Sequence, residues 1–303
     1  MPKRMGRRDF LRAAGPAAIA GPGLVRAARA WPGTAETVAG PRFLTGCCAY
    51  SYGKLLGAGK LTMEDVIQRA VELGIDGVDM TAYWFKSTDA RYLASLRHLA
   101  FKNGVCFSGA ATGASTVQAE PGKRTQVLAQ IKTWIDVTES LGAPHLRVFA
   151  GKLPPGATLQ QGIAWTVDTL KAACEYAGKK GITLGMEDHE GITQNSDTCL
   201  EIIHRVDSPF FGINLDITNF VPTAQADAYA QIEATVPYAT HTHVRDRFAN
   251  REAVDLDRVW RLFAAANYKG FMSAEYEGEE NPMTGVPKLV DKIKTLCRKY
   301  SSV

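Results

Sequence analysis

Ile182-Thr183-Leu184-Gly185-Met186-Glu187-Asp188-His189 is a short apolar, strand-like run that ends on a cluster of ionisable side chains. The same design returns in Gly212-Ile213-Asn214-Leu215-Asp216-Ile217-Thr218-Asn219, in His241-Thr242-His243-Val244-Arg245-Asp246 and in Ala274-Glu275-Tyr276-Glu277. In full, short β-rich runs occupy residues 43–50, 77–81, 105–110, 145–150, 182–188, 212–217, 240–244 and 271–276. Stretches with helical spacing lie between them, at 63–73, 125–141, 163–180, 199–206, 256–266 and 287–300. Parallel strands need long crossover connections, usually helical, so this alternation is the pattern of a parallel sheet. The fold class it predicts is α/β, a (β/α)8 TIM barrel forming a single domain over residues 31–303, near the usual barrel size of about 250 residues.

Punctuation agrees with that reading. Gly74, Gly104, Gly142, Gly181 and Gly270 stand where helices should stop, and Thr62 with Asp65, and Ser87, read as helix N-caps. An open doubly wound sheet would want a phosphate-binding glycine loop after the first strand. Gly53, Gly57 and Gly59 follow that strand, but not in G-x-G-x-x-G order.

Residues 1–30 stand apart. Gly6-Arg7-Arg8-Asp9-Phe10-Leu11-Arg12 precedes an apolar stretch interrupted by Gly15, Pro16, Gly21, Pro22 and Gly23, and Ala28-Arg29-Ala30 offers a small-x-small cleavage site. The stretch is too short to span a bilayer, which takes roughly 20 apolar residues. The pattern resembles a twin-arginine (Tat) signal, which implies a Tat-machinery partner and a periplasmic location. The segment holds seven basic residues and one acid, so a chain of net charge +4 leaves −2 on the remainder. Its basic pI is therefore no argument for nucleic acid binding. Adjacent Cys47 and Cys48, and Cys174, Cys199 and Cys297 on helical stretches, have no zinc-type spacing, so free thiols are expected.

In a barrel of this class the chemistry sits at the C-terminal ends of the strands. Glu187, Asp216, His243 and Glu275 come one each from the fifth to the eighth strand. Strands about 4.8 Å apart on a curved wall turn such side chains towards one point. A single strand-end acid is usually a loop cap or a solvated charge, and a lone histidine a hydrogen-bonded core residue; four donors on consecutive strands are a different case. Three carboxylates together repel one another, and a divalent cation removes the conflict. Three oxygens and one imidazole suit Mn²⁺ first, with Mg²⁺, Co²⁺ or Zn²⁺ as alternatives.

The Glu-x-His, Asp-x-x-Asn, His-x-His-Val-basic-Asp and Glu-Tyr segments resemble the xylose isomerase-like TIM barrels. Within these, the chain is most similar to the sugar phosphate isomerase/epimerase group, which includes ketose 3-epimerases and inosose-type enzymes. The resemblance implies that Glu187, Asp216, His243 and Glu275 are the metal ligands. It also implies that Glu187 and Glu275 exchange protons with the substrate, as a catalytic pair on opposite faces of a sugar carbon. Arg245 matches a basic position of the family and is a substrate-binding candidate with His189, Asn219, Arg147 and Trp84. Tyr50, Tyr52, Trp84 and Phe85 offer an apolar wall for a sugar ring. His241 is expected to point away from the metal or to support it from behind.

The chain also departs from the ketose 3-epimerases. Asn219 stands where they place a histidine, Ala249 where they place an arginine, and Asp188 where Glu-Asn-His is usual. The expected function is a metal-dependent isomerase or epimerase that abstracts a proton next to a carbonyl of an unphosphorylated sugar, cyclitol or keto-sugar. The same acid/base set serves a lyase or hydratase on a 3-keto-glycoside. A non-catalytic sugar-binding barrel is the reading from another class. An endonuclease IV-like metal cluster would need more than the six histidines present. The partner is a small carbohydrate, and a homo-oligomer is left open.

Overall fold

A computed structural model describes residues 40–302, so the twin-arginine segment at 1–30 lies outside the described residues. Within them, eight parallel strands close a barrel in chain order, and the eighth pairs back onto the first. The strands are β1 Arg42–Cys48, β2 Gly77–Thr81, β3 Cys106–Ser115, β4 His145–Gly151, β5 Thr183–Gly191, β6 Phe211–Asp216, β7 Ala239–Val244 and β8 Lys269–Ala274. Around them lie α1 Gly53–Gly57, α2 Met63–Leu73, α3 Ala90–Lys102, α4 Pro121–Leu141, α5 Leu159–Gly178, α6 Ser196–Val206, α7 Ala228–Thr235, α8 Leu256–Ala265 and α9 Pro282–Tyr300. This is the (β/α)8 architecture that the alternation predicts.

Local chemistry sets the helix ends. The Thr62 hydroxyl accepts from the Asp65 amide while Asp65 accepts from the Thr62 amide, the reciprocal capping box that starts α2. The helix ends on Gly74 at φ 59, in the left-handed region where glycine costs least. Two expected signals move. The cap of α3 is Asp89, whose carboxylate accepts from the Tyr92 amide at 2.8 Å, and Ser87 instead donates to Asp89. A charged acceptor suits the positive end of a helix better than a hydroxyl. Gly270 lies inside β8, and the left-handed residue after α8 is Asn267, at φ 56.

Strand alternation then divides the molecule. Leu146, Val148, Leu184, Met186, Ile213, Leu215, Val244 and Met272 are fully buried and face the helices, where Ile131, Ile135, Leu170, Trp260 and Phe263 meet them. Each such side chain contributes about 1.5–3 kcal/mol on burial. Most of the interleaved residues that turn to the barrel axis are polar, Asp79, His145, Arg147, Glu187, Asn214, Asp216, His241, His243 and Ser273 among them. The aliphatic outer faces therefore hold the fold, and the axis is left to chemistry. All six cysteines are free, as expected; Cys106 is exposed and the others are buried. Among the described residues, no helix is long and apolar enough to cross a membrane.

Candidate metal centre

Glu187 in β5, Asp216 at the end of β6, His243 in β7 and Glu275 just past β8 each offer one ligand atom, and these atoms lie within 4.8 Å of one another. All four residues are buried. His243 turns Nδ1 to the carboxylates, 3.3 Å from Glu187 Oε1 and 3.5 Å from Glu275 Oε1. Asp216 spends Oδ1 on the Thr218 amide and hydroxyl at 2.8 and 2.7 Å, and its own amide donates to Asp188 Oδ1 at 2.7 Å. These contacts fix the β6 end and leave Asp216 Oδ2 towards the mouth.

Two guanidinium groups flank the cluster. Arg147 Nε lies 3.1 Å from Glu187 Oε2, with the Phe149 ring 3.9 Å from the guanidinium carbon. Arg245 donates to Asp216 and to Glu277, reaches Asn219 Oδ1 at 2.6 Å and comes within 3.9 Å of Glu275. The charges shape the titration of the cluster. Burial opposes a charged Glu187, but Arg147 and then His243 outweigh it and hold the carboxyl well below its usual range. Burial, joined by the like charges of Glu187 and Asp216, pushes Glu275 up to about 8 against the pull of His243 and Arg245. Burial also opposes a charged His243, yet the charge of Glu275 and its neighbours holds that imidazole well above its ordinary pKa. Burial and the charge of Asp216 raise Asp188.

A divalent cation fits this donor set. Three buried carboxylates face one imidazole nitrogen, and a cation relieves the repulsion that joins burial in raising Glu275. Three oxygen donors and one nitrogen, on four separate strands, make a mixed hard site.

The other expected residues divide. Asn219 and Arg245 meet one another beside Asp216, and Arg147 meets Glu187. Glu275 and Arg245 line a cleft of about 810 Å³ with Tyr276 and Glu277. The half-buried His189 packs its ring 4.7 Å from Phe149. Trp84 lies further out, in a cleft of about 500 Å³ with Tyr50, Tyr276 and Glu277. Tyr52 is buried in the core and Phe85 packs on Tyr92 and Trp134, so neither belongs to an apolar wall at the mouth. His241 does not point away. It shares the inward face of His243 one layer deeper, its ring 6.0 Å from that of His243 and stacked 5.1 Å from His145.

Asp79, Asn214 and Glu277 were not among the expected residues. Asp79 Oδ2 accepts from His243 Nε2 at 2.9 Å, Asn214 Nδ2 lies 3.4 Å from His243 Nδ1, and Glu277 anchors Arg245. Strand alternation is the signal that marks the first two, since each falls on an inward position of its strand.

A family model described as xylose isomerase-like TIM barrel matches residues 67–296. No curated protein matches the chain. Among solved structures, the probable 3-DHS dehydratase AsbF of Bacillus anthracis is 16% identical, with a TM-score of 0.66 over 84% of this chain and 98% of that one. D-psicose 3-epimerase of Clostridium cellulolyticum H10, solved with D-tagatose, is 12% identical, with a TM-score of 0.68 over 86% and 99%. The IolI protein with a binding zinc atom is 13% identical, with a TM-score of 0.68 over 86% and 100%. At these identities the likeness is one of fold.

Proposed function

The chain belongs to the xylose isomerase-like TIM barrel family, and from that premise we propose that it is a metal-dependent isomerase or epimerase of an unphosphorylated sugar, cyclitol or keto-sugar. The observation that carries this reading is the convergence of Glu187, Asp216, His243 and Glu275 on one buried point, with both glutamates beside the same imidazole nitrogen. These four would hold one divalent ion, for which Mn²⁺ is our first choice. Bound there, the ion supplies Lewis-acid polarisation of a carbonyl oxygen and its neighbouring hydroxyl.

The residues themselves handle the proton. Glu187, kept ionised by Arg147 and His243, is the base that takes a proton from the carbon next to the carbonyl. Glu275, the other carboxylate beside His243, is the partner that returns a proton from the other side and inverts that carbon. Arg245, tied to Asn219 and Glu277, orients substrate oxygens at the mouth, while Trp84 and Tyr50 offer an aromatic face further out. We also propose that residues 1–30 direct the folded chain through the Tat pathway to the periplasm, which favours unphosphorylated substrates.

One observation favours a second reading, a lyase or hydratase on a 3-keto-glycoside. Asn219 and Ala249 stand where ketose 3-epimerases carry histidine and arginine, and Asn219 is engaged by Arg245. The dehydratase among the fold neighbours is consistent with elimination on such a scaffold. Incubating metal-loaded protein in D2O with free, keto- and glycosylated sugars tests both readings by NMR. Deuterium uptake without cleavage supports the epimerase, and loss of a β-substituent supports the lyase. No exchange with any member of the panel would sink both in favour of a binding barrel.

A further inference from the structure

The deepest contact of the cluster lies on the side away from the mouth. Asp79, in the middle of β2, is 1% exposed and meets His243 Nε2 at 2.9 Å across 164 residues of sequence. Space for this reach comes from a register shift between β2 and β3 that sets Asp79 opposite Gly109. A Cβ at Gly109 would lie 3.2 Å from His145 Nδ1, a tight approach, and 3.5 Å from Asp79 Oδ1, in contact with the carboxylate. The neighbouring His241 does not compete through its own Nε2, which is engaged by Ser108 Oγ at 3.0 Å. Asp79 therefore has His243 as its hydrogen-bonded ring partner.

A neutral imidazole carries its proton on one nitrogen or the other, and only the bare nitrogen can ligate. Left to the carboxylates alone, the ring proton of His243 would settle on Nδ1, between Glu187 and Glu275 at 3.3 and 3.5 Å. That tautomer closes the ligating nitrogen. We propose that Asp79 is a positioning residue of the centre: by accepting the Nε2 proton of His243 it holds the ring in the tautomer that presents a bare Nδ1 to Glu187, Asp216 and Glu275. The proposal rests on the metal reading of the site. A carboxylate behind a ligating histidine both orients the ring and raises its basicity, and loss of such a partner typically weakens metal binding about 10–100-fold.

The test uses Co²⁺ added to chelator-treated full-length protein. In the Co²⁺ form, wild type should show a hyperfine-shifted, slowly exchanging imidazole N–H in its proton NMR spectrum in water. The resonance is absent from His243→Ala and is assigned to Nε2 by ¹⁵N-histidine labelling. Asp79→Ala should lose that resonance and bind Co²⁺ roughly 10–100-fold more weakly, with Asp79→Asn, which is isosteric and keeps an acceptor oxygen, falling between the two. Should Asp79→Ala fail to fold by circular dichroism, Asp79→Asn decides. Folded variants with wild-type affinity and an unchanged resonance overturn the role of Asp79 alone, as does labelling that places the metal on Nε2. A wild type that takes up no divalent ion overturns the metal reading and this proposal with it.

Discussion

Loading the centre with metal should release protons, and the structure shows which groups give them up. In the metal-free cluster Glu275 is pushed up to about 8, mainly by burial, and His243 is held well above its ordinary value by surrounding carboxylates. Glu187 lies low and brings no proton. Below about pH 8 Glu275 therefore carries a proton that a cation must displace, and the raised His243 adds a competing proton at Nδ1. Removing one from a group with a pKa one unit above the working pH costs about 1.4 kcal/mol, a factor of ten in affinity. Glu275 alone should make the Mn²⁺ association constant rise roughly tenfold per pH unit between about pH 6 and pH 7, and His243 steepens the rise in the same direction. The sign follows from competition: rising pH removes the competing protons, so affinity increases. Above about pH 8 Glu275 is already ionised and its share of the slope should disappear. Titration calorimetry of chelator-treated protein, in buffers of different ionisation heat, counts the protons directly. Zero release across this range, with an affinity independent of pH, would refute the account of Glu275 and His243 as the protonated members of the cluster.

Glu187→Gln and Glu275→Gln should each lower metal-loaded deuterium exchange about 10²–10⁴-fold, measured by NMR on the first substrate that exchanges. Gly185→Ala should destabilise the barrel by about 1–3 kcal/mol in a thermal or urea melt, because a Cβ there would lie 2.3 Å from His145 Nε2; a melt unchanged from wild type would mean that the polar layer below the centre is loosely packed. Trp260→Ala removes a fully buried ring from α8 and should cost about 3–5 kcal/mol by urea denaturation.

The barrel was legible because its outer strand faces are aliphatic, as at Leu184 and Met186 or Ile213 and Leu215, and stand out between amphipathic helices. Strand limits were harder to read. β3 runs on to Ser115 and β5 to Gly191, past register shifts that carry no composition signal. The short α7 escaped altogether. Two of its buried positions are Gln231 and Thr235, so its buried face lacks apolar spacing. Gln231 can be buried because its side chain accepts from the Ser196 amide and donates to the Val221 carbonyl, contacts that depend on chain far from the helix itself.

The centre divides along the same line between what one strand shows and what two strands make together. Glu187, Asp216, His243 and Glu275 could be picked out because each interrupts an apolar run at a strand end. Asp79 also interrupts one, but in the middle of Gly-Val-Asp-Met-Thr. Its partner lies on a strand that does not adjoin its own, and its reach depends on the register shift beside Gly109. Alternation, applied evenly, would still have gone further. It puts His241 on the face of His243, and Asn214 on that of Asp216, and the structure holds both inside the barrel. Beneath three of the four donors the inward positions are polar, Asn214, His241 and Ser273, where a structural barrel would carry Val, Ile or Leu, and beneath Glu187 stands Gly185. Buried polar groups cost stability unless they are paired, so a barrel with such a core must spend those residues on orienting one another. The contacts of His241 with Ser108 and of His243 with Asp79 are that expense made visible, and both lie directly under the point where the four donors meet.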